Sequence, residues 1–226
     1  MSRFLPMLAA CAAMLTLGSA QEVPSHDLVF ERWVRDTFFD GYKPATYTQR
    51  WNIPASANRD HGAIPVNLKV VKHGTTVDLG DALRQYEIDE PFLLIIGVWQ
   101  QDGDVQRIVN LIAPEISPER WRRLWGPVTY ADLRRLDALI KDPGPSVEET
   151  RRLALKMKNS PPFTGAVIQV NPKIDNHGQR RLQCSIRLSD VFKHLAPDAD
   201  PQPPARPALF GVEYPGPIAA QPRRGD

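Results

Sequence analysis

Between residues 25 and 195 the chain alternates two hydrophobic rhythms, one recurring every three to four positions and one recurring every second position or running unbroken. In SHDLVFERWVRDTFF, residues 25–39, Trp33, Phe30, Val34, Phe38, Leu28 and Phe39 fall on one arc. That arc predicts a helix with Ser25 or Asp27 as its cap. Tyr47, Gln49 and Trp51 then alternate with Thr48, Arg50 and Asn52, a strand closed by Pro54. After the turn-rich ANRDHG, the segment AIPVNLKVVKHG alternates again. Val66, Leu68 and Val70 point one way, and Asn67, Lys69 and Val71 point the other.

TTVDL predicts a further strand, and DLGDALRQYEI predicts a helix capped by Asp78 with Leu79, Ala82, Leu83 and Tyr86 inward. PFLLIIGVW is an unbroken apolar run, as expected of a central strand buried on both faces. Asp102-Gly103 turns it into a hairpin with VQRIVNLIA. Three helices follow, with start signals at Ser117-Pro118, Thr129…Asp132 and Ser146…Glu149. FTGAVIQVN and RRLQCSIRL return as strands about a turn at Asp175–Gly178, and SDVFKHL reads as a short last helix.

Composition adds the ends. The 226 residues are 42% hydrophobic and 24% charged, ordinary for a globular domain, but 22 are proline and these crowd the C-terminus. Residues 1–20 combine Arg3, an apolar stretch from Phe4 to Leu17 and small residues Gly18-Ser19-Ala20, the pattern of a cleaved secretory signal. The expectation is an exported protein, periplasmic or secreted, without stable membrane association after cleavage. Residues 21–195 form a single α/β domain, and residues 196–226 an extended, disordered tail in which ALFGVEY is the segment able to dock. Cleavage leaves Cys184 alone, so no internal disulfide forms; its apolar strand setting predicts a buried, inert thiol.

A net charge of +2 gives no global attraction for nucleic acid. Lys173, Arg180, Arg181 and Arg187 flank the late hairpin, and Arg122, Arg123, Arg134 and Arg135 lie on the middle helices. For both groups, phosphate contact stands against a solvated, charged surface. The five histidines are dispersed, and the spacings of a zinc site, a nucleophile elbow or a phosphate-binding glycine loop are absent.

Glu31 on the first helix falls inside the apolar arc with Arg35 one turn later, either a surface ion pair or a carboxylate aimed at a site. Lys69 is likewise either a snorkelling strand lysine or a site residue. The order of helix with Glu31, strands, Lys69 on a strand, helix with Gln85 and Tyr86, then buried strand resembles the PD-(D/E)XK nuclease superfamily. The likeness covers about residues 25–112. It implies a mixed β-sheet flanked by helices, a restriction-endonuclease-like core carrying a helical insertion. It also implies Mg²⁺-dependent phosphodiester hydrolysis of DNA. Lys69 and Glu31 would serve catalysis, Asp60, Asn67 and Asn52 the metal, and Gln85 the substrate. Mg²⁺ seeks oxygen ligands, polarises the phosphorus centre and acidifies a bound water, while the lysine meets developing charge. Asn67 and Asn52, however, stand where that family carries acids, and neutral ligands weaken the ion's hold. The alternative is a noncatalytic exported binding or interaction protein on the same scaffold.

Overall fold

The computed structural model describes residues 26–44, 50–175 and 179–220. The signal-like segment 1–20, the candidate cap Ser25, the first half of the strand expected over 47–52 and the turn centre at 176–178 lie outside the described residues. The fold is mixed α/β, with a mixed main sheet and six α-helices among the described residues.

The main sheet is built on β3 (Phe92–Asp102). β1 (Val66–Lys72) runs parallel to it, from Val66 beside Leu93 to Lys72 beside Trp99. A parallel pair needs a crossover. Here β2 (Thr76–Asp81) and α2 (Ala82–Tyr86) provide it. β4 (Val105–Ile112) returns antiparallel on the other side of β3, and the two-residue β5 (Glu115–Ile116) pairs with the start of β3. As its apolar run requires, β3 is buried without interruption from Phe92 to Val98.

Register sorts the two faces of this sheet. Val66, Leu68, Leu93 and Ile95 pack with Phe30 and Val34 of α1 (His26–Phe38). Gly97 lies in the same row, and a Cβ there would come within 2.8 Å of the Phe30 ring. The helix rests directly on the β3 backbone. Val71, Leu94, Ile96 and Val98 belong to the second, larger core on the opposite face.

That core is closed by α3 (Pro118–Leu124), α4 (Tyr130–Lys141), α5 (Val147–Lys158) and a second sheet. The helix starts are where the sequence puts them. Ser117 accepts from Arg120 N–H, Thr129 and Asp132 form a reciprocal capping box, and Ser146 accepts from Glu149 N–H. The late hairpin, β6 (Gln169–Ile174) and β7 (Arg180–Arg187), joins β2 in the order β2-β7-β6. It therefore forms a sheet of its own instead of widening the main one.

Two expectations are corrected. Asp81, not Asp78, caps α2: pairing with β7 continues to Asp81, opposite Gln183, and holds residues 78–80 in the strand. The tail from Ala196 is folded as far as residue 220. After α6 (Leu188–His194), Asn110 Nδ2 donates to the carbonyls of Asp200 at 3.0 Å and Gln202 at 3.4 Å. The chain then crosses to the α1 face, where β8 (Ala208–Leu209) buries Leu209 beside α1. β9 (Val212–Glu213) closes a hairpin through Phe210 and Gly211, both at positive φ as a two-residue type I′ turn requires. Finally β10 (Pro217–Ala220) pairs with β4, covering an edge that would otherwise invite association. Among the described residues no helix is long and apolar enough to cross a membrane.

Candidate functional site

The polar pair of β1 looks into the larger core, away from α1. Asn67 neighbours Leu94 and Lys69 neighbours Ile96, both of which face that core. Asn67 is buried and Lys69 is half-buried. Cys184 of β7 lies in the same core that the Asn67–Lys69 face of β1 meets. Burial pushes its thiol far above the ordinary range, the Lys69 charge pulls it back, and Asp78 and Asp81 raise it further. Lys69 thus belongs to the gap between the two sheets. Cys184 is fully buried, and a thiol held protonated is a poor nucleophile.

The two acids of the expected site, Glu31 for catalysis and Asp60 for the metal, lie elsewhere. Glu31 is on α1, across the sheet from Asn67 and Lys69, and accepts from Arg35 at 3.1 Å. Asp60 is exposed in a loop beyond the other end of α1, whose neighbouring His61 packs against Phe38 and Phe39. Seven helical residues, about 10 Å of axis, separate Glu31 from Phe38. Asn52 supports the sheet, since its Oδ1 accepts from Leu68 N–H at 2.9 Å along the edge of β1 away from β3, next to an Ile53–Val66 bridge. Gln85 shares the core side with Lys69, but it is only 8% exposed and offers no open surface to a substrate. Its Oε1 is buried without a hydrogen-bond partner among the described residues. Asn67, Lys69 and Gln85 therefore fall on one side of the main sheet, and Glu31 and Asp60 on the α1 side. No group of three or more His, Cys, Asp or Glu side chains suited to a metal ion occurs among the described residues. The donor set expected for Mg²⁺ does not fit one ion.

Three of the basic residues are engaged in local contacts, and Lys173 stands opposite Arg181 on the β6–β7 hairpin. Arg180 donates to the Ile140 carbonyl at 3.1 Å, Arg135 pairs with Asp132, and the Arg122 guanidinium lies 5.1 Å from the centre of the Tyr86 ring. These are contacts that finish helices and cover aromatic surface.

The structure instead opens a cleft of about 410 Å³ where the β1–β2 turn, β3, β4, α6 and the strap at residues 201–202 meet. Val98, Leu188 and Phe192 supply apolar walls. Around them stand His73, Thr75, Thr76, Arg187, Ser189, Asn110 and Gln202. The local fold builds it: Leu188 N–H bonds Thr75 O, joining the start of α6 to the turn, and His73 N–H bonds Trp99 O. Asn110 holds the strap wall in place. An apolar pocket of this size with a few converging polar groups is the usual form of a small-molecule site.

Of these residues the sequence pattern singles out only Arg187, and for phosphate contact or a charged surface. Asn110, an isolated amide in VQRIVNLIA, is the visible signal for the strap, but its partner lies 90 residues away. Asn58 carries no such signal. Fully buried, it donates to His61 O and Ile64 O and accepts from His61 N–H, fixing the loop that carries Asp60. No family model, no curated protein and no solved structure matches this chain.

Proposed function

We propose that this chain is a noncatalytic binding protein, exported by its signal-like leader, that holds a small ligand in the cleft between the β1–β2 turn and α6. The observation carrying this reading is the cleft itself, with an apolar floor and converging polar side chains. The DNA-hydrolysis reading loses support because its acids and its lysine lie on different faces of the sheet. Its surviving members serve the fold: Asn52 completes a strand edge and Gln85 sits in the core. The test is a thermal-shift screen with neutral, cationic and anionic small amphiphiles. It compares the wild type with Ser189→Trp, which fills the cleft from an exposed position. Compounds that raise the wild-type Tm are expected to lose their effect on the variant. An equal response of both proteins would overturn the assignment.

A further inference from the structure

We infer that the ligand of this cleft is an amphipathic monoanion, a carboxylate-headed molecule with an apolar body, whose head is bound by Arg187. The inference rests on the cleft being the binding site. Its walls divide by chemistry. Val98 and Leu188 are almost fully buried, and with half-buried Phe192 they supply the apolar part of the lining. An apolar body placed there exchanges water contact for side-chain contact.

The charge on the rim has one sign. Arg187 is exposed, stands at the cleft and forms no ion pair among the described residues. His73 adds an imidazole from the β1–β2 turn. No acidic side chain lines the cleft; Asp190 and Asp200 adjoin lining residues in sequence but are not part of the wall. A guanidinium presents a planar fork that matches a carboxylate through two parallel hydrogen bonds. Thr76 and Ser189 bring hydroxyls to the same rim, able to donate to a carboxylate oxygen. No second Lys or Arg lines the cleft, so one anionic head is matched and a dianion with charges at both ends is not. An organic cation would meet Arg187 unfavourably.

The strap gives the cleft a wall that sequence-local structure does not provide. Pro201 and Gln202 line it because Asn110 holds the carbonyls of Asp200 and Gln202. Proline restricts this wall before binding, which lowers the ordering cost of ligand capture.

The experiment is a titration of the full chain with decanoate, decanol and decyltrimethylammonium. It is read by methyl NMR signals of Val98 and Leu188 and by calorimetry. Decanoate is expected to shift both methyl sets and to bind about tenfold or more tightly than decanol, as a charge-assisted hydrogen bond provides. Arg187→Gln should bring decanoate down to the level of decanol, and Arg187→Glu should weaken it below decanol. Far-UV circular dichroism of both variants checks that they are folded. Decanol or the ammonium compound binding as tightly as decanoate would overturn the anion assignment and leave the cleft standing. Silence of the Val98 and Leu188 methyls with all three compounds would overturn the cleft reading and this inference with it.

Discussion

Gly97→Ala tests the arrangement that separates Glu31 from Lys69. A Cβ at this position would stand 2.8 and 2.9 Å from two carbons of the Phe30 ring and 3.1 Å from a third. Ordinary carbon contacts are about 3.5–4.0 Å, so either the ring or the helix must give way. Overpacking of this kind costs about 1–3 kcal/mol. Loss of glycine freedom in the unfolded chain offsets about 0.4–1 kcal/mol of it. The net expectation is a destabilisation of about 1–2 kcal/mol by urea unfolding at unchanged m. Phe30→Leu removes the obstructing ring carbons. In that background the Gly97→Ala increment should vanish or reverse, a coupling of at least about 1 kcal/mol. A neutral Gly97→Ala, or simple additivity with Phe30→Leu, would mean that α1 does not lie on this face. The separation of the candidate site residues would then lose its basis.

Other expectations follow from the same structure. Leu209→Ala should cost about 2–4 kcal/mol in urea unfolding, because Leu209 is a core residue of the folded tail; a neutral change would return the tail to disorder. Thr129→Ala, which opens the α4 capping box, should cost about 1 kcal/mol at neutral pH. The Thr129 hydroxyl, opposed by desolvation and aided by the Thr129 backbone and Arg135, holds the Asp132 carboxyl below its ordinary range. Its contribution is therefore complete above the unfolded carboxyl pKa and lost as pH falls through the lower folded value. The stability gap between wild type and Asp132→Asn should close below about pH 4, and a gap unchanged at about pH 2 would contradict this. In a Cys11→Ser background, Cys184 should react with a thiol reagent only at the rate of unfolding, whereas fast native-state modification would contradict its burial.

Much of the fold is legible in the sequence because its signals are local. The apolar run of β3, the caps at Ser117, Thr129 and Ser146 and the alternation of β1 each act within a few residues. Of the tail, only the docking of ALFGVEY is legible. The tail's proline-rich composition lacks a repeating apolar face, and it is ordered by Asn110, by burial of Leu209 and by the β4 edge, all remote in sequence. The split into two sheets is hidden for a similar reason, since period-2 alternation says which faces are buried but not which strands pair. For the site, alternation correctly puts Asn67 and Lys69 on one face, but which neighbour covers that face is a tertiary fact. The apolar arc holding Glu31 is a packing surface, as its period implies, and it packs on the other side. The cleft gathers residues from a turn, five secondary elements and the strap, so no motif marks it.

The sharpest measurement is incubation of the full chain with supercoiled plasmid and Mg²⁺ or Mn²⁺, beside Lys69→Met and a chelator control. With Glu31 and Asp60 on the face opposite Lys69, no nicking above the level of the Lys69→Met protein is expected with either metal. Metal-dependent cleavage abolished both by the chelator and by Lys69→Met would contradict a noncatalytic binding protein.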